Sequence, residues 1–344
     1  MPAQAAVVAA VADAHRREWA AVLASTVRVT RDLDLAEECV QDAYAQALSR
    51  WPAGGVPARP GAWLTTAARN RALDLMRREK SLQRKLPLLL DRAGAEPVAG
   101  DLFGDDRLRL VFTCCHPALS AQAQVALTLR LLCGLSTAEV AHAFLVGEAT
   151  MAARITRAKK KITGARIPYR IPDAEELPAR VGAVLAVVHL LFTSGHTAAA
   201  GEELVRGDLL ERSFDLIAML RALLPTDADV AGLFALMLLT DSRRRTRLSP
   251  EGQLVLLEDQ ERARWDAPQI AEGVALVREA LARRPPGRYA LMAAVAAVHA
   301  EAPTWQDTDW AQIVGLYDVL VELWPSPVVA LNRAVAVGFA QGPA

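Results

Sequence analysis

One hydroxyl and three cations stand at helical spacing in "LSTAEVAHAFLVGEATMAARITRAKKK" (Leu135–Lys161): Thr150, Arg154, Arg157 and Lys161 fall at i, i+4, i+7 and i+11. That spacing draws one stripe along a helix. In a major groove, Thr150 and Arg154 would approach base edges while Arg157, Lys159, Lys160 and Lys161 meet phosphates. The opposite stripe, Met151, Ile155, Ala158 and Ile162, is apolar and would hold the helix to its neighbour. Ser136 with Glu139 forms a capping box that starts the preceding helix, from which Val140 and Phe144 point inward. "LVGE" supplies the corner, with Gly147 free for a left-handed or cap conformation. Such a pair is a helix-turn-helix, against the plainer reading of a solvated amphipathic helix.

A second cationic stretch, "AWLTTAARNRALDLMRREKSLQRK" (Ala62–Lys85), carries seven Lys/Arg against two acids from Arg69 to Lys85. Leu64, Ala68, Ala72 and Leu75 make its apolar stripe, and Asn70, Asp74, Arg77 and Arg78 line another face. Beside the loop "PAGGVPARPG", this helix could hold an unstacked base and its phosphates. Trp63 reads as core rather than as a stacking platform. Upstream, "LAEECVQDAYAQALSRW" puts Ala36, Val40, Ala43 and Ala47 on one stripe, with Glu37, Glu38, Gln41 and Asp42 outside it. A carboxylate-rich face suits protein docking or plain solvation, not DNA.

Other candidates carry less. Cys114, Cys115, His116 and Cys133 lack the two-to-four-residue ligand spacing of tetrahedral zinc sites and read as small core residues. His189 and His299 lie in apolar stretches and read as satisfied core histidines. "DSRRRTRLS" (Asp241–Ser249) is a cationic run in an acidic region, either a solvated loop or a contact to an acidic face. No phosphate-binding loop, paired catalytic carboxylates or nucleophile–base set is present, so no catalytic residue, cofactor or metal is expected.

The elements that position these faces are helices. The chain is 52% hydrophobic and only 5% aromatic, with strong helix formers filling its long stretches, which reads as all-α. Its zero net charge conceals two halves. Residues 1–170 hold 24 Lys+Arg against 16 Asp+Glu, and residues 171–344 hold 15 against 23. A basic half suits a polyanion partner and an acidic half does not. No basic leader is present and no run approaches the ~18 uninterrupted apolar residues of a membrane span, so a cytoplasmic protein with no membrane partner is expected.

Three segments separate at polar or Pro/Gly-rich stretches: 6–85, then a connector at 86–106, then 107–165, then 174–344. In the last, apolar helical stretches alternate with short breaks, the pattern of a pairwise helical array. Trp310 and Tyr317 keep the seven-residue offset of tetratricopeptide repeats, although the later small-residue and proline positions do not follow. "SPVVALNRAVAVGFAQGPA" reads as the first helix of a repeat without its partner, so the chain is expected to be cut short of its natural end.

Taken in order, these blocks resemble the extracytoplasmic-function sigma factors, promoter-specificity subunits of bacterial RNA polymerase. "LAEECVQDAYAQAL" resembles the region 2 helix that docks on the polymerase clamp, and "AWLTTAARNRALDLMRR" the helix that engages the melted −10 element. "LSTAEVAHAFLVGEATMAARITRAKKK" is similar to the region 4 helix-turn-helix that reads the −35 element, with Leu145 where the turn commonly carries glycine. "FTCCHPALSAQAQVALTLRLLCGLS", "LVLLEDQERARWD" and "LYDVLVELWPSPVVALNRAVAVG" resemble the subgroup with a tetratricopeptide-like C-terminal extension. The resemblance implies region 2 at 6–85, region 4 at 107–165 and a regulatory extension at 174–344 acting in cis, through intramolecular contact with the sigma domains. It assigns Glu37, Glu38, Gln41 and Asp42 to core polymerase. Asn70, Arg71, Asp74, Arg77 and Arg78 go to the −10 strand, with the loop near Gly54–Pro60 choosing the flipped base. Thr150, Arg154, Arg157, Lys159, Lys160 and Lys161 go to −35 promoter DNA. The alternatives are a helix-turn-helix regulator acting without polymerase docking, and a helical protein-interaction scaffold.

Overall fold

The computed structural model describes residues 2–85, 106–196, 207–249 and 252–342, and the regular elements among them are all helices. The only extended pairing among the described residues is an isolated bridge between Leu248 and Leu254. All but the last residue of the connector expected at 86–106 lies outside the described residues. The helices form two compact units that divide at Val187 and Val188.

In the first unit, α1 (Pro2–Thr30), α2 (Leu33–Gly54) and α3 (Pro60–Lys85) pack pairwise on one another. Arg31, with φ at 56°, turns the chain between α1 and α2. Asp32 then caps α2, its Oδ1 accepting from the backbone of Asp34 at 2.8 Å and Leu35 at 2.9 Å. Ala36, Ala43 and Ala47 of α2 and Ala68 and Ala72 of α3 are wholly buried. Small side chains along these seams let helix axes approach closely. Val22, Leu23 and Leu64 fill the space between them, each stabilising the unit by about 2 kcal/mol.

The rest of this unit is α4 (Asp106–Cys114), α5 (Ala121–Leu127), α6 (Thr137–Ala143) and α7 (Glu148–Gly164). A single π-helical turn, Thr128–Leu132, extends α5. Trp19 of α1 reaches it, donating its indole N–H to the Leu131 carbonyl at 3.1 Å. Gly134 follows with φ at 67°, and a Cβ there would lie 3.0 Å from the Trp19 ring. Glycine thus serves both the left-handed turn and the close approach.

The unit boundary falls inside α8 (Leu177–His196), whose first half belongs to the first unit, where Arg180 donates to the Phe112 carbonyl at 2.5 Å. Among the described residues, α8 is also the one helix long and apolar enough to cross a membrane. Val181, Val184, Leu185, Val188 and Leu191 along it are buried within the fold.

The second unit continues through α9 (Gly207–Leu223), α10 (Ala228–Asp241), α11 (Ala267–Ala282), α12 (Arg288–Glu301), α13 (Trp310–Leu323) and α14 (Pro327–Gln341). Neighbours in sequence pack together, and α10 also lies against α12. At that crossing a Cβ on Gly232 would meet the Ala290 backbone nitrogen at 2.7 Å, so the two backbones touch. Ala231, Ala280 and Ala290 centre one core cluster, while Leu291, Leu320 and Val329 centre another. One link departs from the short breaks expected. Between α10 and α11 the chain takes three 3-10 turns, Arg244–Thr246, Leu257–Asp259 and Arg262–Arg264.

Candidate nucleic-acid interface

The helix-turn-helix is built from its caps inward. Ser136 Oγ accepts from the Glu139 backbone at 3.2 Å while Glu139 accepts from the Ser136 backbone at 2.7 Å, closing the capping box. At the other end of α6, Leu145 donates to the His142 carbonyl and Val146 to the Ala141 carbonyl, both at 3.0 Å. That is a Schellman turn, and its left-handed position is Leu145, with φ at 53°. Gly147 instead caps α7 in an extended conformation. The turn therefore keeps its usual hydrogen bonds with an unusual residue, whose side chain is 89% exposed.

Met151, Ile155, Ala158 and Ile162 are buried as one stripe of α7. Thr150, Arg157, Lys160 and Lys161 are exposed, and half-buried Arg154 lies over the Phe144 ring at 5.4 Å. A guanidinium resting on an aromatic face loses less rotamer freedom when it meets a second partner.

Lys159 departs from expectation. It is buried, and its ammonium donates to Asp34 at 2.7 Å and to Glu37. Glu37 is buried as well, with Arg130 2.9 Å from its Oε1 as an ion pair. Burial alone would lower the Lys159 pKa, but the Glu37 and Asp34 carboxylates outweigh it and hold it above its ordinary value. Both are expected on the surface; in this conformation neither is a free surface charge, and each is held in the pair. Their registers explain why. Lys159 stands eight residues after Met151 and next to Ala158, at the edge of the apolar stripe. Glu37 lies on the row Leu33, Val40, Tyr44, a second buried face of α2.

The remaining region 2 candidates divide. Glu38 and Gln41 are exposed on α2, whereas Asp42 pairs with Arg71 of α3 at 2.7 Å. Asn70, Asp74, Arg77 and Arg78 are exposed along α3, with Arg77 3.6 Å from Asp74. Trp63 is half-buried edge-on against Trp51, their ring centroids 5.5 Å apart.

None of the four cysteines is in a disulfide, and all are buried. Burial pushes the Cys115 thiol up to about 12 and Cys39 to about 11, and Cys114 is raised well above its usual value for the same reason. These are packing residues, and no metal-ligand cluster occurs among the described residues.

Two family models match the first half of the chain. Residues 13–82 fit Sigma-70 region 2 and residues 109–162 fit Sigma-70, region 4. An uncharacterized protein of Rhizobium meliloti (strain 1021) is 44% identical over 329 residues, covering 93% of this chain and 78% of that protein. The chain belongs to the sigma-70 family. It is an extracytoplasmic-function-like sigma factor with a C-terminal extension, of which residues 180–281 match a family of unknown function, DUF6596. No solved structure matches the sigma factor. Its region 2 comprises α1 to α3 and its region 4 runs from α4 to α7, so the Glu37, Arg130 and Lys159 cluster joins the two regions. Sequence reasoning missed Arg130 and Asp34 as members of that cluster. The signal available was an ionisable residue on each of two buried rows, which implies a buried partner of opposite sign.

Proposed function

We propose that the sigma factor binds core RNA polymerase through α2, captures the melted −10 strand with α3 and reads the −35 duplex with α7. Glu38, Gln41 and Asp42 serve polymerase docking. Asn70, Arg71, Asp74, Arg77 and Arg78 serve the −10 strand, with the Gly54–Pro60 loop choosing the flipped base. Thr150, Arg154, Arg157, Lys160 and Lys161 serve the −35 element. The observation that carries this reading is the α7 face. Exposed Thr150, Arg157 and Lys161 stand opposite a fully buried apolar stripe, in a helix held by a capped neighbour.

The Glu37–Lys159 pairing supports a resting state in which region 2 and region 4 are closed on each other. Engagement with polymerase separates the regions and frees both groups for the docking and phosphate roles. The extension regulates this step in cis.

The test is in-vitro transcription with core polymerase over a promoter library, comparing the full chain with one ending at His196, which keeps the Arg180 bond to α4. Promoter-dependent transcripts that need both −35 and −10 sequences are the expected result. A stronger short form would make the extension an inhibitor; an inactive, folded short form would make it an activating part. Absence of promoter-dependent transcription from the folded full chain with active polymerase would overturn the reading.

A further inference from the structure

The cationic run between α10 and α11 does not behave as a solvated loop. Trp265 donates to Thr246 Oγ1 at 2.9 Å, and Thr246 in turn bonds Gln260 at 3.3 Å, tying the two ends of the segment together. Arg262 lies over the Trp265 ring at 5.0 Å. Irregular backbone held by such contacts inside a helical array is costly to keep for connection alone.

Among Arg243, Arg247 and Arg262, Arg243 is the one on which no carboxylate acts, whereas Asp241 acts on Arg247 and Asp307 on Arg262 without ion-pair contact. Arg247 donates to the His196 carbonyl at 2.8 Å, at the end of α8. Arg262 donates to the His299 and Ala302 carbonyls at 2.6 and 2.7 Å, at the end of α12. Both cap helix C-termini. Arg244 is held by Asp241 at 2.7 Å. Arg243 has no hydrogen-bond or ion-pair partner among the described residues, and the charges of Arg247 and Arg262 act on it. Among the described residues, no carboxylate lies within ion-pair distance of Arg243, Arg247 or Arg262. Burial and these neighbours pull the Arg243 pKa down to about 10.

A second, independent observation points to the same place. His196 is only 5% exposed, yet among the described residues neither ring nitrogen has a hydrogen-bond partner, and it feels the charges of Arg247, Arg243 and Arg244. Among the described residues His299 Nδ1 is likewise buried without a partner, and the charges of Arg243 and Arg262 act on it, so its ring is not fully satisfied as its apolar surroundings imply. Three like charges packed together with orphaned donors around them are expensive unless an anion joins them.

We infer that the extension binds a small phosphate-class oxyanion at this cluster, with Arg243 as its main donor and His196 and the free N–H groups of Arg247 beside it. A phosphate carries close to two negative charges near neutral pH and three strong acceptor oxygens, which answers three guanidinium groups better than a single carboxylate does. The source is either free inorganic phosphate or the phosphate group of a small ester. The inference concerns the extension alone and stands whether or not the promoter reading holds.

Thermal unfolding of the full chain tests it, with inorganic phosphate or glycerol phosphate added at constant ionic strength against chloride. Phosphate should raise the midpoint of the wild type and of Arg245→Met, an exposed neighbour, and leave Arg243→Met unmoved. In phosphate-free buffer Arg243→Met should melt no lower than wild type, because it removes like-charge repulsion. A gain from both compounds makes the ligand an ester, and a gain from inorganic phosphate alone makes it the free ion. An equal gain with chloride, or in Arg243→Met, overturns the inference. Should that variant fail to fold, phosphorus NMR line broadening on wild type and Arg243→Lys decides. Loss of the planar fork should weaken binding and reduce the broadening, and unchanged broadening again overturns it.

Discussion

Glu37 of α2 and Lys159 of α7, 122 residues apart, form a buried hydrogen-bonded ion pair that joins region 2 to region 4. Arg130 flanks the carboxylate at 2.9 Å and Asp34 flanks the ammonium at 2.7 Å. Two cations and two carboxylates in one cluster are close to neutral, so each charge is compensated where it is buried. Such a cluster adds little net stability over apolar packing but strongly penalises the loss of one member. It therefore favours one arrangement of the two regions over others.

Replacing Lys159 separates two roles. As a phosphate contact, Lys159→Met would weaken −35 duplex binding, as loss of any cation does. As a closing contact, it should loosen region 4 from region 2 and leave duplex binding by the full chain equal or stronger, with a stability loss of about 3 kcal/mol. Electrophoretic mobility shift with a −35 duplex, alongside urea unfolding, reads both. Weaker binding in step with Lys160→Met would sink the closed resting state.

The exposed cations carry a salt signature. Lys161→Met should weaken duplex binding almost uniformly across sequences and make the slope of log affinity against log salt shallower by about 1. Arg154→Ala should relax preference at one base position, costing about 1–3 kcal/mol there. Binding isotherms at several salt concentrations on a duplex library would separate them. If Arg154→Ala changes affinity without changing preference, α7 does not read bases.

Leu145 holds a conformation that L side chains rarely adopt, with φ at 53° and nothing burying its side chain. Leu145→Gly should raise stability by about 1 kcal/mol, because the Schellman hydrogen bonds remain and the backbone strain is relieved. Duplex binding should not change. A lower unfolding midpoint for this variant would mean that the strain at Leu145 is smaller than the entropy that glycine adds to the unfolded chain.

Much of this was legible in the sequence where a period coincided with a chemical contrast. The α7 stripes, the Ser136 capping box and the apolar row of Leu64, Ala68 and Ala72 follow from spacing alone. The reading failed where a helix is buried on more than one side. On α2, the row Leu33, Val40, Tyr44 carries Glu37 inward, and a single-stripe model assigns it to solvent. Lys159 was misplaced for the same reason, since a run of three lysines looks uniformly exposed until its register against Met151 is counted. The Arg243 cluster was less legible still. It depends on helix ends at His196 and His299 that are distant in sequence, and only folding brings Arg247 and Arg262 onto their carbonyls.

The same cluster sets an acid limit on the extension. His196 is held down to about 3 by burial, then by the charges of Arg247, Arg243 and Arg244. His299 is held to about 4 by burial, then by Arg243 and Arg262. In the unfolded chain both titrate near their ordinary value of about 6.5. Between those limits the unfolded state binds protons that the folded state refuses, so stability rises with pH and falls as pH drops below about 6.5. Each histidine adds a slope approaching about 1.4 kcal/mol per pH unit once the pH is well below that value. Urea unfolding at pH 7, 6 and 5 should therefore show a steepening loss before the bulk of the carboxylates titrate. His196→Phe keeps an aromatic partner for Phe192, with which His196 stacks at 5.3 Å, and should reduce the slope by about one proton's worth. An unchanged slope in that variant would mean that the folded state does not hold the His196 pKa below its unfolded value.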